Sequence, residues 1–531
     1  MSKTLFINGH IHTMTAPEDV YSCLGVDGET ICYVGNAPGT DYDNTVDLND
    51  RHVYPTMTDA HLHLLYTIVL AAASFNVCEI TPEGIAPRNL VGVEKRIRSY
   101  CRENPKQKII TGNQYIISAV EEKRLPTRQE LDDWTGGRAM VIYNIDGHSS
   151  SMSTGLMELL ALPTEGHNGI FSGEEHEFMQ GKVTALIASK VTPALLSRGI
   201  ANFSNLCAHY GISRVCAMDG NEDENPDRLT GLLAFLARRM DIDVRLFPQY
   251  MTLDRAEQLS PKLRCPRAGG CAAWELDGSV GSHSAAFYTP YADDSRMGHC
   301  YYKTETVAQK VAYALRQGIQ LSSHAIGEAA IDQITGIYAA ASRLPTEGPL
   351  MRIDHFEFPT RQAVDTVKHL PLAITIQPGY AWIDKRYLHS YEQFLPPEII
   401  AQQAPLKELM AAGVCLCGSS DSPVQSISPY DQMLGMVEHY LPEVSLTPYE
   451  ALLTYTVNGA RMLGELEHSG TLEAGKDADF FTADWDINRV TTADFPRLCA
   501  EEMYVRGRRW RKKQGTVGEL LTMLMQLPHK I

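Results

Sequence analysis

The stretch "MTDAHLHLLYT", residues 57–67, sets His61 and His63 one residue apart directly after a run that reads as a strand. Successive side chains on a strand point to opposite faces, so residues i and i+2 share a face and can reach one ion. Spacing alone does not select this pair, because "NGHIHTM" holds His10 and His12 in the same way. Position does: His324 ends the run "IQLSSHA", His355 lies in "MRIDHFEF", and Asp421 closes "VCLCGSSD". Four imidazoles and one carboxylate drawn from strand ends on one face are the donor set of a divalent metal. His10 and His12 precede those strands and read as sheet residues.

The strands that must carry this set can be counted. Eight β-branched or apolar runs, "VYPTMTD" (53–59), "ISRVCAMD" (212–219), "DVRLFPQY" (243–250), "CAAWELDG" (271–278), "IQLSSHA" (319–325), "MRIDHFEF" (351–358), "LAITIQP" (372–378) and "VCLCGSSD" (414–421), are separated mostly by helical patterns such as "TVAQKVAYALRQG". That alternation predicts an α/β fold, a (β/α)8 barrel, whose site lies at the C-terminal strand ends. The first connection runs to about 150 residues, far beyond an ordinary βα unit. An inserted cap over roughly 75–200 is therefore expected inside a barrel domain of 53–464. The β-rich ends, 1–52 and 465–531, are expected to form one composite β-sandwich domain.

Composition narrows the function. The 531 residues are 44% hydrophobic and 21% charged, an ordinary globular balance. A net charge of −17 disfavours nucleic acid, whose phosphates need clustered cations. The apolar run "LLYTIVLAAASF" (64–75) is shorter than the roughly 20 residues of a membrane span and reads as a buried helix. "MSKTLFINGH" lacks the apolar block of a secretory signal. Twelve cysteines without a C-x-x-C pair read as small buried hydrophobes in a reducing compartment. The expectation is a cytoplasmic protein without a nucleic-acid or membrane partner. The basic run "VRGRRWRKK" (505–513) reads as the charged edge of the last hairpin.

The motifs "DAHLHL", "HAIGEAAID", "RIDHFE", "GSSDSPV" and "LTPYEALLTYTVNGARMLG", followed by "GTLEAGKDADF", resemble the amidohydrolase superfamily. "DGSVGSHSAAFYTPYADD", "RLPTRQELDDW" and "DGHSSSMS" resemble its family 3 branch, which contains the N-substituted formamide deformylases. The resemblance implies His61, His63, His324 and His355 as ligands of one or two divalent ions, zinc first and iron or manganese after it. Asp421 is implied as both ligand and proton shuttle. The implied chemistry is hydrolysis by metal-bound hydroxide, with Asp421 taking the water proton and passing it to the leaving amine. One departure stands out: the lysine that the branch carries four residues before its Asp-Gly falls here on Ala273. Glu275, two residues further on the same strand face, is the candidate substitute as a bridge or single ligand, the alternative being that it binds substrate or stabilises a neighbouring cation, in which case a mononuclear site follows. The resemblance also places His148 over the active site, bonded to the substrate carbonyl or oxyanion.

Tyr115 in "TGNQY", and Tyr380 and Trp382 in "IQPGYAW", are candidates for an apolar substrate wall. Cys415 and Cys417 read as core, and Asp277 as a structural residue holding the "GSVGS" turn. The expected function is a metal-dependent hydrolase of a C–N bond in a small N-formyl or N-acyl amine. Rival reactions on the same centre are deamination of an aminated heterocycle, isomerisation and lyase chemistry, since fold alone does not choose among them. A non-catalytic scaffold is the rival from another class. The expected partner is a small-molecule amide, with a homodimer left open.

Overall fold

The apolar runs form eight parallel strands: β1 (Met57–Leu62), β2 (Ile212–Asp219), β3 (Asp243–Pro248), β4 (Arg267–Glu275), β5 (Gln320–Ala325), β6 (Met351–His355), β7 (Leu372–Ile376) and β8 (Cys415–Gly418). The computed structural model describes residues 3–37, 41–69, 74–81, 84–222, 227–259, 263–341 and 343–529. The strands pair in the orders β3-β2-β1 and β4-β5-β6-β7-β8. A parallel bridge from Leu62 to Ser422 ties the end of β1 to the segment after β8. This arrangement is consistent with an eight-stranded barrel. Every residue of β2, β3 and β5 is buried, as expected when helices cover one face and the strand interior packs on the other. The helices Pro193–Tyr210 and Thr304–Gln317 end on Gly211 (φ 78) and Gly318 (φ 65), whose left-handed backbone turns the chain into β2 and β5. No described helix is long and apolar enough to cross a membrane.

Two of the expected strands differ from the structure in an instructive way. The run at 53–59 splits at Thr56: His52–Pro55 pairs with Phe480–Ala483 and His10–His12, and only Met57–Leu62 joins β2. The first half thus belongs to a six-stranded sheet built from both ends of the chain, beside a four-stranded sheet of Lys3–Ile7, Cys23–Asp27, Thr30–Gly35 and Asn44–Asp47. Between the two sheets Phe6 meets the edges of Phe480 and Tyr504 at 5.1 and 5.2 Å. The strand expected at 271–278 instead spans 267–275, because Asp277 has left the ladder. Its carboxylate accepts the backbone N–H groups of Ala286 (2.9 Å), Ile326 (3.0 Å) and Gly327 (2.8 Å), tying the end of β4 to the loop after β5 rather than closing its own turn.

Between β1 and β2 a five-stranded sheet runs in the order Ile170–Ser172, Ser149–Met152, Ala139–Asn144, Ile109–Tyr115, Ser74–Asn76. Its core of Val93, Ile97, Ile110, Leu131 and Ile142 is separate from the main one. The turn joining Ala139–Asn144 to Ser149–Met152 carries Asp146 and His148. Asp146 accepts hydrogen bonds from the Ser279 and Ser282 hydroxyls, both at 2.8 Å, which pins this turn onto the loop after β4.

The N-terminal ends of the strands are closed by charge. Arg245 of β3 grips Glu465 through two bonds of 2.7 and 2.9 Å, and Arg214 of β2 stands 3.3 Å from the same carboxylate. Burial would raise the Glu465 pKa, but Arg214 and Arg245 hold it well below the usual carboxylate range. Removing one partner of such a buried cluster strands the others' charge, at about 3–5 kcal/mol. Glu465→Gln is therefore expected to lose about that much stability in urea unfolding at neutral pH. Because the folded-state pKa is depressed, the Glu465 contribution is complete above a pH of about 4.3 and fades below it. The gap between wild type and Glu465→Gln should narrow as the pH drops through that range.

Candidate active site

At the opposite ends of the strands the imidazoles converge, and each is turned by a partner outside the centre. His61, in β1, bonds through Nδ1 to Asp354 Oδ2 at 2.9 Å. His63, just past β1, bonds through Nδ1 to the Met218 carbonyl at 3.0 Å. His355, at the end of β6, bonds through Nδ1 to Gln377 Oε1 at 2.8 Å, and Gln377 uses its own NH2 on Ser419 Oγ at 2.7 Å. A carboxylate, a carbonyl and an amide oxygen only accept, so in all three rings the N–H sits on Nδ1 and the Nε2 lone pair is left for a ligand. His324, in β5, has Nδ1 3.5 Å from Asp277 Oδ1, and its Nε2 is buried without a hydrogen-bond partner among the described residues.

The ring centroids form a chain: His63 to His61 at 5.5 Å, His61 to His355 at 5.3 Å, His355 to His324 at 4.4 Å and His324 to His148 at 5.3 Å. Asp421 Oδ1 lies 3.3 Å from His61 Nε2 and 3.2 Å from His63 Nε2. On another side of His61 Nε2, 3.5 Å away, is the sulfur of Cys271 from β4. His148 comes down from the inserted unit with Nδ1 2.9 Å from Glu275 Oε1. Donor atoms thus gather in two sets that share His61, namely His61, His63 and Asp421, and His61, Cys271 and His355, with a separate set of His148, Glu275 and His324 beside them. His355 (φ 74) and Asp421 (φ 53) both adopt left-handed backbone, which costs a residue with a Cβ about 1 kcal/mol or more and is kept where surrounding bonds impose it. For Asp421 that bond is its N–H to the His61 carbonyl, 2.8 Å.

The electrostatics favour positive charge at the centre. Burial would lower the His61 pKa, but Cys271 and Asp354 outweigh it and lift the ring well above its usual range. For His63 burial is likewise outweighed, by Asp421 and then Cys271, and its pKa rises to about 10. Burial would raise Asp421, yet His61 and His63 hold it well below an ordinary carboxylate. Cys271 follows the same pattern: burial opposes the thiolate and the neighbouring imidazoles win. With Nε2 atoms turned inward beside ionised Asp421 and Cys271, the centre attracts positive charge, and a divalent metal that displaces the imidazole protons fits these residues.

Of the residues singled out from sequence, His61, His63, His324, His355 and Asp421 come together, with Glu275 and His148 adjoining them beside His324. Tyr380 lines a cavity of about 80 Å³ that also reaches His148, His355 and Asp421. Tyr115 and Trp382 do not form its wall. Tyr115 is fully buried in the core of the inserted unit, its hydroxyl spent on the Arg124 carbonyl at 2.6 Å. Trp382 turns outward, with Nε1 on Glu438 at 2.9 Å and Arg386 against its ring. An aromatic near a strand end can pack either way, and only the path of the chain decides. His12 pairs with His52 at 2.8 Å inside the terminal sheets. Cys415 and Cys417 are buried, with each sulfur 3.4 Å from the Asn458 carbonyl.

Sequence reasoning missed Asp354, Gln377 and Cys271. Asp354 stood in view beside His355 in "RIDHFE", and Cys271 shares the alternation of Ala273 and Glu275. Neither spacing shows which imidazole a side chain will meet.

The sequence model of the amidohydrolase family, in its family 3 branch, matches residues 44–510. This chain belongs to the amidohydrolase family. Among its relatives, N-substituted formamide deformylase of Arthrobacter pascens is 22% identical over 96% of this chain and 98% of its own. Putative amidohydrolase YtcJ of Bacillus subtilis is 21% identical over 95% and 98%. An uncharacterized metal-dependent hydrolase of Pyrococcus horikoshii OT3 shares the fold with a TM-score of 0.70 at 21% identity, over 93% of this chain and 99% of that one. Atrazine chlorohydrolase TrzN of Arthrobacter aurescens TC1, solved complexed with zinc, shares it at 0.56 and 14% identity, over 98% and 99%.

Outer partners of metal-bound histidines typically contribute 10–100-fold in metal affinity. Gln377→Met, which keeps the volume and removes the acceptor for His355 Nδ1–H, should weaken metal binding by about that factor. Competition against a chromophoric chelator measures it, and the melting temperature of the metal-free protein should stay close to wild type.

Proposed function

We propose that this chain hydrolyses a non-peptide C–N bond in a small N-formyl or N-acyl amine, at a metal centre held by His61, His63, His324, His355 and Asp421. The observation that carries the reading is the common orientation of His61, His63 and His355, each with Nδ1–H engaged outward and Nε2 left for the centre beside Asp421. An imidazole-rich set with carboxylate suits zinc first, then iron or manganese, as one or two ions. The zinc in TrzN, a protein of the same fold, agrees with that order. When bound, such an ion supplies Lewis acidity toward water and the scissile carbonyl.

The chain's own groups account for the proton traffic and for selectivity. Asp421, ionised between His61 and His63, accepts the proton of the attacking water and returns it to the leaving nitrogen, which must be protonated before the C–N bond breaks. The Glu275 carboxylate stands 2.9 Å from His148 Nδ1 and favours the imidazolium form, in which Nε2–H donates to the developing oxyanion. The cavity beside them, about 80 Å³ and walled by Tyr380, Ile326 and Val280, is far below the roughly 300 Å³ of a drug-sized pocket. A second cavity of about 460 Å³ meets the centre at His63 and Cys271, so the small cavity suits a short acyl group and the larger one the amine. All twelve cysteines are free thiols, which suits a reducing compartment, and we place the chain in the cytoplasm acting on a small molecule.

A panel of formamides and short N-acyl amines, scored for released amine, tests the reaction. Amine release that disappears on chelation and returns with zinc is the expected outcome, whereas ammonia from aminated heterocycles without amide cleavage would overturn the reading. Asp421→Asn should lower kcat by about 10²–10⁴, the usual worth of a general acid–base, with the fold intact by circular dichroism.

A further inference from the structure

β4 departs from a regular strand where it passes the centre. Gly270 pairs with Ser323 and Glu275 with His324, so the four residues Cys271–Trp274 are extra against two adjacent partners on β5. Gly269 (φ 114) and Gly270 (φ 102) start the excursion in backbone that side chains rarely allow. A Cβ on Gly269 would lie 1.9 Å from the Ser322 carbonyl, and one on Gly270 2.7 Å from the Met218 sulfur. The excursion is anchored at its far end by Trp274, fully buried, with Nε1 donating to the Tyr250 carbonyl at 2.9 Å. Its product is the position of one atom: Cys271 Sγ, buried and 3.5 Å from His61 Nε2, in a mutual cluster with His61 and His355.

From this geometry we infer that Cys271 is a direct metal ligand of the centre, its thiolate completing with His61 and His355 a donor set that adjoins the set of His61, His63 and Asp421. The inference rests on the reading of the centre as a metal site and adds a sulfur to it. Three observations carry it. The sulfur faces the same Nε2 of His61 that faces Asp421, so one nitrogen lies between a carboxylate and a thiol. Ala273 has no donor, and Glu275 is engaged with His148 and grouped with His324 rather than with His61. Nearby His324 Nε2 is buried and lacks a hydrogen-bond partner among the described residues, so the donor shell extends past the sulfur. A thiolate has lone pairs for more than one ion, and it biases the centre toward zinc, iron or cobalt over magnesium or manganese.

The test uses the full chain, stripped of metal and reloaded with zinc or cobalt(II). Zinc-edge absorption spectroscopy should show a sulfur scatterer at about 2.3 Å, and the cobalt form a near-ultraviolet sulfur-to-cobalt charge-transfer band. Cys271→Ser should lose the band and bind metal at least about 10–100-fold more weakly, the loss already expected for an outer-shell partner. A wild-type chain that binds metal stoichiometrically with only nitrogen and oxygen scatterers overturns the thiolate ligand and leaves the metal centre standing. A chain that binds no metal at all overturns the centre and the ligand together. The wild-type spectrum decides even if Cys271→Ser fails to fold.

Discussion

The centre depends on where the outer nitrogen of each histidine is tied. Asp354 is the hub: its carboxylate accepts from His61 Nδ1, Arg352 Nε (2.8 Å), the Thr375 hydroxyl (2.6 Å) and the Ser322 hydroxyl. Burial would push its pKa up, but the Arg352 and His61 charges hold it far below an ordinary carboxylate. One side chain on β6 therefore fixes the tautomer of a histidine on β1 while drawing on β5 and β7. Met218 and Gln377 do the same for His63 and His355. If those N–H groups were free to choose, each ring could flip, and the inward lone pairs would no longer meet.

The two ends of the parallel strands carry charge for opposite purposes. At the N-terminal ends Arg214 and Arg245 meet Asp243 and Glu465, and Arg506 adds a bond of 2.5 Å to Asp243, so opposite charges neutralise one another within the protein. At the C-terminal ends anionic and imidazole groups are packed with lone pairs facing each other, an arrangement stable only when a cation or protons lie between them. Structure and site are separated along the strand axis, and the left-handed backbone of His355 and Asp421 lies at the site end.

The inserted unit completes the centre from above. It has its own sheet and core, and it brings His148 to the centre on a turn held by Asp146 on Ser279 and Ser282. That clamp sets the depth of His148 and so the size of the space beside Tyr380.

The sequence by itself determined the eight parallel strands, the order of the elements and the placing of His61, His63, His324, His355 and Asp421 at strand ends, because a period of two, a period of 3.6 and Gly at helix ends are local properties. It did not determine the strand limits at Thr56 and at β4, where a ladder partner far along the chain decides which residues stay paired. It placed Tyr115 and Trp382 on a substrate wall, and tertiary packing sent one into the core of the inserted unit and the other outward. Most of all, counting along β4 assumes a regular strand. The four-residue excursion after Gly270 breaks that count and brings Cys271, rather than Ala273, beside His61. Which atom faces the centre was decided by the close approach of β4 to Met218 and Ser322, a contact that exists only in the folded chain.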